Sequence, residues 1–178
     1  KAQLRVSIIL CALVLAYPWL RYEKAIRTDS TVELAQSLFG AERAESVEFR
    51  MKNEEVLLDR AGQKLLFGWG HNNRASIFPP WGTRALTVRD GAWIILIGDR
   101  GILFWASFFS IFVVPIFLAR RHFERIRSPR AQRLVAALSL LVAIHTFDLL
   151  PNGLFDAMGV YFAGALYSVV PRLTRQGV

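Results

Sequence analysis

Residues 67–101 read FGWGHNNRASIFPPWGTRALTVRDGAWIILIGDRG and run without a break into residues 102–119, ILFWASFFSIFVVPIFLA. The first stretch is punctuated by Gly, Pro and Asn, which mark loops. The second carries no charge over its whole length. A bilayer core ~30 Å thick is crossed by about 20 apolar residues in a helix. The junction therefore reads as a polar loop entering a membrane-spanning helix, and it decides the fold class: an all-α, polytopic membrane protein.

Working outward, residues 4–20 form another apolar run, in which Pro18 is expected to bend or end the helix. Residues 134–150 and 154–170 supply two more, joined by Pro151, Asn152 and Gly153 as a tight turn. About four transmembrane helices result. The 178 residues are 53% hydrophobic with a mean hydropathy of +0.33, richer in long apolar runs than a soluble domain needs. The first residue is Lys, and the whole reads as the C-terminal part of a larger polytopic chain. Cys11 is the single cysteine, so neither an internal disulfide nor a Cys-based zinc site is expected.

The net charge of +8 is first a statement about topology. Arg120, Arg121, Arg125, Arg127, Arg130 and Arg133 crowd the link at 120–133, which the positive-inside rule assigns to the cytoplasm. Lys1 and Arg5 at one end and Arg172 and Arg175 at the other fall on the same side. Residues 21–90, where acids and bases nearly balance, then face the opposite side, which in a bacterium is the periplasm. The organisation is a span at 1–20, a periplasmic loop at 21–90, and an interfacial turn with a span at 91–119. The basic link at 120–133, a hairpin of spans at 134–170 and a cytoplasmic tail at 171–178 complete it. The localisation expected is the bacterial inner membrane. No basic, aromatic-interleaved motif occurs in a soluble stretch, so nucleic acid is not an expected partner.

The loop itself is expected to be largely helical. Ser30-Thr31-Val32-Glu33 has the spacing of a capping box and predicts a helix start at Ser30. A second helix is predicted over 42–62, with Val47, Met51, Leu58 and Ala61 near one face and Gly62 as its C-cap.

Several side chains in this region suit chemistry. Arg50 either pairs with Glu54 one helical turn away or presents its planar fork to phosphate oxygens. Trp69, between Gly68 and Gly70, either anchors in the interfacial aromatic belt or offers a flat face to a sugar ring. His71, Asn72, Asn73 and Arg74 follow as a dense polar cluster, expected to bind ligand, with Asn72 and Asn73 on the sugar. Asp90 either caps the next helix or orients and deprotonates an acceptor hydroxyl. Arg100, beside Asp99, sits at the outer interface if the span begins near Ile102. If the helix begins at Gly91 it lines a polar cavity. His145 and Asp148 share a helix face, and with Asp156 they suggest a second polar cavity. Metal-binding patterns are absent, as are phosphate-binding Gly loops, so no metal or cofactor is expected.

Three stretches together resemble the O-antigen ligase and polysaccharide polymerase superfamily. They are SVEFRMKNEEVLLDRAGQKLLFGWG (46–70), RDGAWIILIGDRGILF (89–104) and DLLPNGLFDAMGVYFAGAL (148–166). The resemblance implies a metal-independent membrane glycosyltransferase whose donor is an undecaprenyl-pyrophosphate-linked glycan and whose acceptor is another glycan or a lipid. Arg50 matches the loop arginine expected to hold the pyrophosphate, and Arg74 and Arg100 are assigned to the same group. Asp90 is an expected catalytic residue; His71, which does not stand at a position matching the family, is expected to be catalytic on the reading of the residues alone. Asp90-Gly91 stands where the ligases show a His-Asn-type pair, which moves the expectation toward a polymerase. A polysaccharide transporter or flippase component, or a non-catalytic assembly subunit, is the alternative.

Overall fold

A computed structural model describes residues 1–82 and 84–175. Six α-helices account for most of them: α1 (Ala2–Tyr22), α2 (Thr28–Phe39), α3 (Ala41–Gly62), α4 (Ala92–His122), α5 (Pro129–Asp148) and α6 (Ala157–Arg175). A 3-10 turn at Phe123–Arg125 lies between α4 and α5, and no strand occurs among the described residues. Of the predicted tail, Gln176, Gly177 and Val178 and the side chain of Arg175 lie outside the described residues.

Three helical segments are long and apolar enough to cross a membrane: Ala2–Tyr22, Ala92–Arg125 and Pro129–Asp148. Their exposed faces are apolar too. On α1, Leu4, Ser7, Cys11 and Val14 are buried at helical spacing, while Val6, Ile9 and Leu13 are exposed. Leu103, Phe104, Ile111, Val114 and Phe117 are exposed on α4, and Leu134, Leu141 and Ile144 on α5. A helix that is apolar all round fits a lipid surround and not water. The hairpin's last helix starts at Ala157 and not near 154, because Asp156 caps it and accepts the Gly159 amide at 3.1 Å. Its apolar run then ends at Pro171 and Arg172, and it is not among the three.

Other boundaries also differ from the sequence expectation. The capping box does not form. Helix α2 opens at Thr28 with Arg27 at its N-cap, and the Thr31 hydroxyl donates back to the Arg27 carbonyl at 2.8 Å. Gly62 is a helical residue and not the C-cap; Gln63 caps in right-handed geometry, and the left-handed turn falls at Gly68, φ 70°. Pro18 does not end α1, whose last turn runs on to Tyr22. The span expected from Ile102 begins at Ala92, and Gly101 (φ 82°, ψ 173°) breaks it into two helical pieces.

The chain divides into two compact units. The first comprises Lys1–Leu15, Ala106–Leu150 and the chain from Leu154 on. Phe109, Phe112 and Ile116 of α4, Val135 and Val142 of α5, and Leu166 and Val170 of α6 form its core. Phe108 meets the edges of Phe112 (5.4 Å) and Phe155 (5.6 Å). Gly159 lets α6 lie against His145, since a Cβ there would stand 2.0 Å from the imidazole. His145 Nδ1 is 3.9 Å from the Asp156 carboxylate.

The second unit is Ala16–Trp105 with Pro151–Gly153. In it α2 and α3 pack as an antiparallel pair turned at Gly40, φ 87°. Arg21 at the end of α1 is buried against them. Its guanidinium donates to the Ile26 carbonyl (2.8 Å), the Met51 carbonyl (2.9 Å) and Glu54 Oε2 (3.2 Å), and the Tyr17 hydroxyl donates to the same Glu54 oxygen at 2.9 Å. These bonds anchor the helical turn beyond Pro18.

Candidate functional site

The break at Gly101 organises the candidate site. Ending a helix there frees the carbonyls of Gly98 and Asp99 and the amide of Ile102. Residues 65–70 cross the break and take up all three groups. The amides of Trp69 and Gly70 donate to Gly98 (2.8 Å) and Asp99 (2.9 Å), and the Leu65 carbonyl accepts from Ile102 at 2.8 Å. Only glycine permits the crossing. A Cβ on Gly68 would lie 2.5 Å from the Asp99 carbonyl carbon, and one on Gly101 would lie 2.2 Å from the Leu66 oxygen. Arg100 lies at this break and is exposed, and the helix begins at Ala92, next to the alternative start at Gly91.

Past the crossing the chain winds through positive φ at Gly70 (83°), Asn72 (67°) and Asn73 (57°). Asn tolerates the left-handed region better than most residues, which accounts for this pair in the sequence. The side chains of 71–74 then alternate. His71 and Asn73 reach one polar group, and Asn72 and Arg74 line another.

The first group is a chain of charges. Arg50 on α3 lies with Nε 3.6 Å from Asp90 Oδ2, and the two side chains are 48% and 40% exposed. Arg50 thus pairs with Asp90, and Glu54, its alternative partner, is engaged by Arg21 and Tyr17. Arg89, next in sequence to Asp90, donates to Asp99 at 2.5 Å and to Asn73 Oδ1 at 2.8 Å. Arg100, next to Asp99, contacts His71 Nε2 and lies 5.6 Å from the centre of the Phe104 ring. Arginine can only donate, so the contact occupies the lone pair of that ring nitrogen.

The second group is a cleft of about 860 Å³. Arg60, Lys64 and Arg74 line it together with Trp69 and Asn72, against Asp59 as the only acid. The Arg60 guanidinium lies 3.3 Å over the Trp69 ring and Lys64 Nζ lies 4.3 Å from its centre. The indole nitrogen donates to the Arg60 carbonyl at 2.8 Å. The stacking face expected to receive a sugar therefore carries cations on one side. Among the described residues Arg60 makes long hydrogen bonds, to Gln63 (3.3 Å) and to the Arg74 carbonyl (3.4 Å), and its buried Nε has no partner there. A guanidinium stacked on an aromatic ring with spare donors is suited to an anion.

Arg50, Arg74, Asp90 and Arg100 are thus not gathered in one cleft: of the four, only Arg74 is among its lining residues. Arg60, Lys64, Arg89 and Arg21 were not singled out from sequence. Arg60 and Lys64 read as cations completing a helix C-terminus, and only their spacing of four, one turn apart, marked a shared face. Burial pushes the Glu54 carboxyl above its ordinary value, against the opposing pull of Tyr17, Arg21 and Trp93. Among the described residues no three His, Cys, Asp or Glu side chains group as metal ligands.

Neither protein-family models, curated proteins nor solved structures match the chain.

Proposed function

We propose that this chain forms part of a membrane glycosyltransferase that moves a glycan from an undecaprenyl-pyrophosphate carrier to another glycan or a lipid. In this reading the helices lie in a bacterial inner membrane, with α6 as a fourth span, the basic 120–133 link in the cytoplasm and residues 21–90 in the periplasm. The observation that carries it is the cleft where three cations face one acid, beside Trp69, on the segment that leads into an apolar helix. A diphosphate leaving a sugar C1 develops negative charge, and fixed guanidinium groups stabilise it in the transition state. Arg60, Lys64 and Arg74 hold the diphosphate, and Arg50, outside the cleft lining, holds Asp90 until the acceptor displaces it. Asp90, released from Arg50, accepts the proton of the acceptor hydroxyl. Asn72 and the open edge of Trp69 meet the sugar. His71 and Asn73 act on the position of Arg100 and Arg89.

A broken helix is also a feature of transporters, whose freed backbone groups bind the cargo. Here Leu65, Trp69 and Gly70 already occupy those groups, which favours surface chemistry over passage.

The test is glycan transfer by the full-length protein from a lipid-linked oligosaccharide in detergent, read by product mass. Arg74→Ala, Arg50→Ala and Asp90→Ala are each expected to lower turnover by about 10²–10³-fold, the effect of losing one preorganised charge. Wild-type rates in all three variants would sink the mechanism, and cytosolic labelling of the 21–90 loop would sink the topology.

A further inference from the structure

A second basic pocket lies in the first unit, outside the machinery just described. Lys1 and Arg5 at the start of α1 meet Arg120 at the end of α4 around a notch of about 110 Å³. Buried Leu4 and Phe123 form its floor, and Glu124 closes it through a 3.0 Å ion pair with Lys1. Each water in liquid occupies roughly 30 Å³, so the notch has room for about four waters or one phosphate group, and not for a sugar chain.

We infer that this notch binds the phosphate of an anionic phospholipid, with Arg5 and Arg120 as the gripping residues. Three observations point to a lipid headgroup. The notch lies where α4, long and apolar enough to span a membrane, gives way to the basic link, and headgroups lie at the ends of such spans. Val6 and Ile9 on α1 and Phe117 on α4, each within about one helical turn of a notch residue along the chain, are exposed and supply apolar surface for acyl chains. Glu124 is the single acid among six arginines between 120 and 133, so the field around the notch is positive. Basic pockets between spanning helices suit anionic headgroups, at about 1 kcal/mol per basic residue near the surface. Glu124 acts as a tethered competitor, which lipid phosphate displaces from Lys1.

The experiment uses the purified full-length protein, delipidated in neutral detergent and titrated with phosphatidylglycerol or phosphatidylcholine, with bound lipid counted by native mass spectrometry. Phosphatidylglycerol is expected to bind, and phosphatidylcholine at least about tenfold more weakly. The pair Arg5→Gln/Arg120→Gln should weaken phosphatidylglycerol by about tenfold or more. The pair Arg127→Gln/Arg130→Gln, which removes the same charge elsewhere on the link, should change it less than about twofold. Glu124→Gln removes the competitor and should tighten binding, which keeps the proposal testable if the double variant folds poorly. Equal losses in the two arginine pairs, equal binding of the two lipids, or no gain in Glu124→Gln would overturn it. Displacement of bound lipid by millimolar inorganic phosphate would also overturn it, by assigning the notch to the free ion.

Discussion

Helix α3 carries one member of each of two arginine–carboxylate pairs, and the two pairs are built for opposite purposes. In the first, Arg21 from α1 is almost wholly buried, its side chain 1% exposed, and it reaches Glu54 at 3.2 Å together with two backbone carbonyls. In the second, Arg50 and Asp90 stand 3.6 Å apart and roughly half exposed. A buried charge with several acceptors cannot change partner without leaving another charge bare. A half-exposed pair at long range gains little from its contact and exchanges readily. The first pair is a fastening, and the second is a contact that a ligand can take over.

The largest effect that would break this contrast is on the fastening. Arg21→Ala leaves Glu54 without its counter-ion and should cost about 3–5 kcal/mol of stability, read by thermal unfolding of the solubilised protein. A stable Arg21→Ala protein would mean that the network is ornamental. Next comes the crossing at the break. Gly101→Ala must push a Cβ against the Leu66 carbonyl at positive φ and should cost about 2–3 kcal/mol. Partial proteolysis near Phe67 should rise with it, and unchanged cleavage would argue that the crossing tolerates a side chain.

Arg50→Ala sharpens the comparison from the other side. With both partners so exposed, solvent screening leaves at most about 1 kcal/mol in the pair, so unfolding should barely move while glycan transfer falls. An Arg50→Ala protein as unstable as Arg21→Ala would erase the distinction.

The smallest effect is on pH dependence. Glu54 titrates above its ordinary value of 4.5 in the folded protein, so between the ordinary and the raised value the native state holds more protons than the unfolded chain. Its contribution is fully present below the ordinary value and is lost as pH rises through the raised one. Glu54→Gln should flatten the slope of melting temperature against pH in that window, and an unchanged slope would place the titrating group elsewhere.

These residues also show what sequence alone could carry. Periodic apolar faces are local, and so α3 falls within one residue of its expected start, with Met51, Leu58 and Ala61 buried as expected. The apolar runs at 4–20, 102–119 and 134–150 appear as helices for the same reason. The Arg21 network depends on partners 30 and 33 residues away, which no spacing rule reports. The break at Gly101 was partly legible, since Asp99-Arg100 divides the apolar stretch just before Ile102, but nothing local showed that helix continues on both sides of it. Its cause is residues 65–70, whose two amides and one carbonyl supply the missing bonds. Arg50, Arg74 and Arg100 were expected to hold pyrophosphate and Asp90 to act in catalysis; in the structure Arg50 pairs with Asp90, Arg100 meets His71 and Arg74 lines the cleft. Their sorting into a charge chain and a cleft rests on the alternation of 71–74, set by two left-handed asparagines. Ser30 shows the reverse failure: a correct spacing that loses because the chain enters the helix earlier, at Thr28.

The crossing at Gly101 also bears on how the protein is made. An unmet backbone group in hydrocarbon costs several kcal/mol, so the two pieces of α4 could not rest in lipid with their ends bare. Residues 65–70 leave the ribosome before residues 98–102 do. The strip that receives the interrupted helix is therefore already made when the helix arrives, and translation order itself supplies the template.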